Sequence, residues 1–225
     1  MKDLVLVIPV YNEEACIAEV IDSWLESLGK LKIDFQMLIL NDGSKDGTAH
    51  ILNRYAGHPN IDISNKKNSG HGPTILAGYH RAVEMAEWVF QCDSDNELHA
   101  GYFERLWRIH HDYDALFGIR EGRSSGGDRW LISFVSRLVV RCIYGSKVLD
   151  VNVPYRLIRA CLLRKIIQAI PDDTQSPNLL ISGASSKLPV RVVNIPIPQP
   201  QTDGNCLHPQ WEIMGDCLCE CMADL

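Results

Sequence analysis

Seven consecutive residues near the start of the chain, Leu4-Val5-Leu6-Val7-Ile8-Pro9-Val10, include no polar side chain. A strand with one face in water alternates apolar and polar residues. A run without alternation must be covered on both faces, as in a parallel sheet with helices above and below it. That requirement commits the chain to strands separated by helical crossovers, and the following residues supply them. Asn12-Glu13-Glu14 opens a helical pattern (Ile17, Val20, Ile21, Trp24, Leu25, Leu28) that is predicted to stop at Gly29, with acidic residues in its first turn where the helix dipole favours them.

The same unit then repeats. A strand over Phe35–Leu40 ends in Asn41-Asp42-Gly43-Ser44-Lys45-Asp46-Gly47-Thr48 and is followed by a helix from about Thr48 to Tyr55. A short strand over Ile61–Ser64 leads through Asn68-Ser69-Gly70-His71-Gly72-Pro73-Thr74 into a helix running to about Glu87, with Pro73 suited to its first turn. Glycines there let a backbone approach a ligand closely, and a helix N-terminus favours an anion. The strand ending at Asp93, a helix from about Ala100 to His110 and a strand at Ala115–Gly118 follow. The expected fold class is therefore α/β, a single domain with an open, mostly parallel sheet flanked by helices and its ligand at the strand carboxyl ends. Classical dinucleotide and P-loop binding are excluded, because Tyr11-Asn12-Glu13-Glu14 stands where GxGxxG would be and no GxxxxGK[ST] occurs.

The most informative stretch is Val89-Phe90-Gln91-Cys92-Asp93-Ser94-Asp95-Asn96-Glu97-Leu98-His99. An apolar run ends in two carboxylates one residue apart, which share a face of an extended chain. Held together, they repel unless a divalent cation lies between them or on a ligand they share. The plainer alternative is a helix start, since Asp and Asn cap helices.

Charge is distributed unevenly. With 22 Lys+Arg against 28 Asp+Glu the chain is acidic overall, so nucleic acid is not an expected partner. Between Arg120 and Lys165, however, ten basic residues face three acidic ones, a local +7 in a protein of net −6. Within this window Arg129, Ser133, Arg137 and Arg141 recur every four residues beside Trp130, Leu131, Phe134, Val135, Leu138 and Val139. Such an arginine stripe on an apolar helix suits a phosphate on a lipid tail at a membrane surface; the alternative is a core helix with a solvated basic edge.

The expected setting is cytoplasmic, soluble or peripheral on a membrane. No apolar run approaches the roughly 20 residues of a membrane span, and no signal peptide precedes the first strand. Cys16, Cys92, Cys142 and Cys161 are then expected as reduced core residues, and the alternating Cys217, Cys219 and Cys221 do not form CxxC zinc ligands.

In order along the chain, these motifs resemble the family 2 inverting glycosyltransferases, and within them the dolichyl- and polyprenyl-phosphate sugar transferases. Val7 to Glu14 is similar to their opening strand and turn, Asn41 to Thr48 to their base-binding loop, Asn68 to Ala77 to their Asn-Gly-rich helix, and Asp93-Ser94-Asp95 to their DxD metal motif, with Glu97 where Gln is usual. Gly118-Ile119-Arg120 resembles the later Gly-x-Arg, and Asp150-Val151-Asn152-Val153-Pro154-Tyr155-Arg156 the segment that brings another arginine to the acceptor. His71-Gly72-Pro73 replaces a more usual Gly-Lys-Gly type of loop, and Gln199 to Gly204 carries glutamine where relatives commonly have a late arginine.

The resemblance implies a GT-A-type domain over residues 1–200, followed by a C-terminal tail over 201–225, and transfer of a hexose from a GDP- or UDP-sugar. It gives the 201–225 tail no role, and it further implies Mg²⁺ or Mn²⁺ at Asp93, Asp95 and Glu97. Pro9, Tyr11, Glu13, Asp42, Gly43, Gly70, Asp93 and Arg120 would bind the nucleotide sugar. Arg129, Arg137 and Arg156 would hold the acceptor, and Asp95, Arg129 and Asp150 would carry the chemistry. With a lipid phosphate as acceptor no strong base is needed; with a hydroxyl acceptor Asp150 is the first choice. Two alternatives remain: a sugar nucleotidyltransferase, which should carry a Gly-rich, Arg-containing loop after the first strand, and a sugar-nucleotide sensor without turnover.

Overall fold

The computed structural model describes residues 1–121 and 147–198. The elements alternate as expected through the first half: β1 (Lys2–Val10), α1 (Ile17–Lys30), β2 (Phe35–Asn41), α2 (Thr48–Asn53), β3 (Ile61–Asn65), α3 (His71–Met85), β4 (Ala86–Cys92), a 3-10 turn at Ala100–Tyr102, α4 (Phe103–Ile109) and β5 (Ala115–Glu121). After the segment outside the described residues come β6 (Tyr155–Arg159), α5 (Ala160–Ile167), α6 (Pro177–Lys187) and β7 (Val192–Pro198).

The seven strands form one sheet in the order β3-β2-β1-β4-β6-β5-β7. Among the described residues only β6 runs against the rest, pairing antiparallel with both β4 and β5. This is an open, mostly parallel α/β sheet. Leu4 to Ile8 are fully buried at its centre, as a strand without alternation requires. Burial of these side chains, at about 25 cal/mol per Å² of apolar surface, is the main force holding helices to both faces.

The faces can be read from β4, because successive side chains point to opposite sides. Phe90 points toward α1, where its ring lies 5.2 Å from Trp24, 4.9 Å from Phe103 and 4.7 Å from Tyr155. Gln91 points the other way, toward α3 and α6. An aromatic cluster therefore supports one side of the acidic strand end and a polar layer the other.

Some local expectations shift. α1 continues through Gly29 to Lys30, and the left-handed residue that turns the chain is Lys32, at φ 52°. α3 begins two residues before Pro73. Cys16 and Cys92 are buried free thiols, but Cys161 is exposed, because the helical period of α5 turns it outward between the buried Ala160 and Leu162. Cys142 and the cysteines at 206, 217, 219 and 221 lie outside the described residues.

Candidate active site

The carboxyl ends of β1, β2 and β4 meet along one edge of the sheet, and the polar loops that follow them are tied together by side chain to backbone bonds. After β1, Asn12 turns left-handed at φ 56°. Its N–H donates to Ser44 Oγ at 3.0 Å and its Oδ1 accepts from Lys45 N at 2.8 Å. The Glu13 N–H donates to Thr48 Oγ1 at 2.8 Å, and Glu14 Oε2 accepts from Gly47 N at 2.6 Å. The Tyr-Asn-Glu-Glu turn, which includes Tyr11 and Glu13 and follows Pro9 of β1, and the loop after β2 are thus one unit. Asp46 joins it by accepting from Glu14 N and Thr48 N. Burial opposes ionisation of Asp46, but the Thr48 hydroxyl and these N–H donors outweigh it and leave the carboxyl below its ordinary range.

Asp42 is nearly buried, its side chain 4% exposed. Its Oδ1 accepts from the ammonium of Lys66 and from Ser69 N at 2.9 Å, and its Oδ2 from Gly70 N at 2.9 Å. Expected as a nucleobase acceptor, Asp42 also anchors the loop entering α3. A carboxylate has about four lone-pair sites, so three internal donors still leave one for a ligand. Gly43 sits at φ 71° with its α-carbon against Asn68: a Cβ there would fall 2.9 Å from Asn68 N. Both the left-handed backbone and the close approach call for glycine.

At Gly72 the constraint is space alone. A Cβ would lie 2.2 Å from Gln175 O and 2.4 Å from Thr174 O, so the chain before α6 packs directly on the first turn of α3. Gly72→Ala is expected to destabilise the protein by about 1–3 kcal/mol through forced backbone movement. Urea denaturation checks this, and a midpoint equal to that of the unaltered protein would disprove the contact.

The acidic pair ends β4. Asp93 Oδ1 accepts from Gln91 Nε2 at 3.0 Å, and His71 Nε2 lies 3.6 Å from the same oxygen. Asp95 Oδ1 accepts from Glu97 N at 2.9 Å, closing an Asx turn through Asn96 at φ 58°. Burial, and then the charge of Asp93, push the Asp95 carboxyl up to about 7, with Glu97 and Glu13 adding to the effect. Two hard-oxygen ligands driven to this degree of repulsion fit a divalent cation such as Mg²⁺ or Mn²⁺, whose charge would relieve it.

The expected third ligand, Glu97, does not join them. Among the described residues no group of three or more His, Cys, Asp or Glu side chains could hold a metal ion. The Asx turn breaks the extended geometry after Asp95, and Glu97 Oε2 lies 3.8 Å from Arg120 Nη1. Arg120 in turn donates from Nε to Asp150 Oδ2 at 3.1 Å, so the Gly-x-Arg arginine links the acidic strand end to the segment before β6. Burial alone would lower the Arg120 pKa, but the charges of Asp150 and Glu97 overcome it.

Arg156, expected at the acceptor, is fully buried. Its guanidinium donates to Val153 O, to Val151 O at 3.2 Å, to Asn178 O at 3.0 Å and to Ser182 Oγ at 3.4 Å. It therefore holds the segment before β6 from beneath. The reason is register: opposite Gln91 on β4, Arg156 points to the interior side of the sheet. Arg129 and Arg137 lie outside the described residues.

Sequence reasoning missed Lys66, Gln91 and Asn178. Lys66 follows directly on β3 and so belonged with the other strand-end residues. Gln91 showed as one amide within an apolar run. Asn178 carried no local signal.

Comparison with known proteins follows the same lines. The family model "Glycosyl transferase family 2" matches residues 5–168. An undecaprenyl-phosphate 4-deoxy-4-formamido-L-arabinose transferase of Pectobacterium atrosepticum is 25% identical over 86% of this chain and 60% of its own length. An uncharacterized glycosyltransferase of Synechocystis is 30% identical over 75% of this chain and 52% of its own. The chain thus spans between half and two thirds of these curated relatives. Among solved structures, glucosyl-3-phosphoglycerate synthase from Mycobacterium tuberculosis, in complex with Mn²⁺, UDP and phosphoglyceric acid, aligns over 95% of this chain and 74% of its own, with TM-score 0.64 and 17% identity. S. aureus TarS 1-349 aligns over 89% of this chain and 58% of its own, with TM-score 0.58 and 20% identity. At such identities the structures establish a shared GT-A fold. The family match covers well over half of the sequence and includes the ends of β1, β2 and β4 that carry the candidate site: the chain belongs to glycosyltransferase family 2.

Proposed function

We propose that this chain catalyses inverting transfer of a hexose from a UDP- or GDP-sugar to a polyprenyl phosphate, with Mg²⁺ or Mn²⁺ held by Asp93 and Asp95. The observation that carries the reading is the half-buried carboxylate pair at the end of β4, with Asp95 pushed up to about 7, next to a loop system organised for a nucleotide. The names of the undecaprenyl-phosphate relatives support the choice of acceptor.

In this reading Asp42, Pro9, Tyr11 and Glu13 bind base and ribose, and Gly43 and Gly70 let backbone approach the donor. Asp93 and Asp95 would hold a cation, which when bound would supply Lewis-acid stabilisation of the departing diphosphate. An oxygen of the acceptor phosphate attacks the anomeric carbon from the face opposite the diphosphate, whose bond breaks as the new one forms, so configuration inverts. An acceptor already ionised at neutral pH needs no proton removed. Arg120 holds Asp150 beside the cleft, and Arg156 shapes the segment from below. Arg129 and Arg137 take the acceptor phosphate. Residues 1–200 form the transferase unit, and 201–225 follow it as a C-terminal tail.

The test is transfer of radiolabel from a panel of UDP- and GDP-hexoses into polyprenyl phosphate, with Mn²⁺ or with chelator. Metal-dependent label in the lipid fraction is expected; none across the panel would overturn the reading. Arg129→Ala and Arg137→Ala should each weaken acceptor affinity about ten- to a hundred-fold, at roughly 1.5–3 kcal/mol per charge-assisted contact, while donor affinity holds. Lysine should rescue only in part, since it lacks the planar fork. Wild-type transfer by both mutants would rule out these contacts.

No helix among the described residues is long and apolar enough to cross a membrane. The reading has the protein work at the cytoplasmic face as a peripheral enzyme. It should sediment with anionic vesicles at low salt and release as screening grows.

A further inference from the structure

Behind the acidic strand end lies a line of buried polar side chains that nucleotide chemistry does not use. Gln91 is fully buried in β4 between Phe90 and Cys92. Its Nε2 donates to Asp93 Oδ1 at 3.0 Å, and its Oε1 accepts from Asn178 Nδ2 of α6 at 3.2 Å. Asn178 Oδ1 accepts from the Tyr79 hydroxyl of α3 at 3.4 Å.

The direction of this line is forced. An ionised carboxylate only accepts, so Gln91 must present its amide NH₂ to Asp93 and its oxygen to Asn178. Asn178 must then present its own NH₂ to Gln91 and its oxygen to a donor, and Tyr79 can donate because burial pushes its phenol far above the ordinary range and keeps it protonated. Three hydrogen bonds thus point the same way and polarise one another toward one carboxylate oxygen.

Burying an amide in a strand interior is unfavourable unless its bonds are made, and a leucine at position 91 would fill the sheet without that requirement. The amide has a use only if the orientation of Asp93 matters. Asp93 is 22% exposed at the cleft rim, where an unsupported side chain samples several rotamers. With Oδ1 held from behind, Oδ2 is the oxygen left for a cation. Asn178 also links this line to the other wall, because its backbone carbonyl accepts from Arg156, which holds the segment next to Asp150.

We propose that Gln91 is a positioning residue for Asp93, fixed in turn by Asn178 and Tyr79, so that α6 sets the geometry of the divalent cation site. The match to the family model ends at residue 168, ten residues before Asn178. The inference rests on the reading of Asp93 as a metal ligand.

The test measures Mn²⁺ affinity in the presence of UDP, from the signal of free Mn²⁺ in electron paramagnetic resonance, together with the denaturation midpoint of the metal-free protein. Gln91→Met keeps size and removes the donor. It is expected to weaken Mn²⁺ binding about ten- to a hundred-fold, the usual effect of losing an outer-shell partner, while the midpoint falls because the buried Asn178 Nδ2 loses its acceptor. Tyr79→Phe should weaken binding by less, at most about five-fold across two intervening bonds. The double variant should bind no worse than Gln91→Met, because Tyr79 acts only through Gln91.

Affinity within two-fold of wild type in Gln91→Met, or effects of the two substitutions that multiply, would overturn the proposal. Should Gln91→Met not fold, Tyr79→Phe alone decides, and unchanged affinity there overturns it. Wild-type protein that binds no Mn²⁺ removes the reading of Asp93 as a ligand and this inference together. Wild-type binding with unaltered variants removes the inference alone.

Discussion

Arg156→Ala is expected to destabilise the protein by about 3–5 kcal/mol, the range for breaking a buried charged network. The guanidinium is fully buried, and burial lowers its pKa, yet among the described residues no carboxylate forms a salt bridge with it. It is held by the carbonyls of Val151, Val153 and Asn178, by Ser182 Oγ, and by the face of Phe117, 5.4 Å from its central carbon. Alanine would leave those oxygens without a donor and open a cavity, so the penalty for unsatisfied acceptors adds to the packing loss. Arg156→Lys should recover only part, because one ammonium cannot reach acceptors spread around a planar fork. Chemical denaturation checks both. A loss under about 1 kcal/mol for alanine, with acceptor affinity alone reduced, would return Arg156 to the acceptor-contacting role that its place in the sequence suggested.

Asp95→Asn should do the opposite: abolish metal-dependent nucleotide binding and leave the metal-free protein as stable or more so. The carboxyl is pushed up to about 7, so above that pH the folded protein holds a carboxylate that burial and Asp93 disfavour. A raised folded-state pKa means that the folded chain binds the proton more tightly than the unfolded chain, and stability falls as pH rises from about 4 toward 7. The uncharged amide removes that penalty, so the gain should be largest above pH 7. Losing one of two protein ligands should weaken Mn²⁺ at least a hundred-fold, about 2.8 kcal/mol. Calorimetric titration of Mn²⁺ with UDP gives the affinity, and thermal unfolding at pH 5 and pH 8 gives the stability. Unchanged Mn²⁺ affinity would reduce Asp93-Ser94-Asp95 to a strand-end turn. A variant less stable than wild type at pH 8 would show that the carboxylate is structurally required.

Asp95 and Arg156 differ in how much of their role the sequence can disclose. Asp95 was legible because its signal is local: an apolar strand, then carboxylates at positions that share a face. The same holds for Asp42, for the left-handed Gly43, and for the alternation of strands with amphipathic helices through β5. Each depends on a period or a turn contained within a dozen residues.

Arg156 was legible as an arginine of a recognisable segment, but its direction was not. Whether a side chain on β6 points to the cleft or the interior depends on register against β4, and β6 is the one antiparallel strand, reached through a connection that no short pattern specifies. Glu97 was expected as a third metal ligand, and past the left-handed Asn96 its Oε2 lies 3.8 Å from Arg120 Nη1.

By itself, then, the amino-acid sequence determined the class of fold and the edge of the sheet where the polar strand-end residues gather, because these follow from hydrophobic period and strand-end chemistry. Only the tertiary structure decided which polar groups meet. The partners Asp42 with Lys66, Arg120 with Asp150, and Gln91 with Asn178 are separated by 24, 30 and 87 residues. A hydrogen bond acts over about 3 Å, so pairs so distant in sequence become neighbours only when the sheet and its helices have packed.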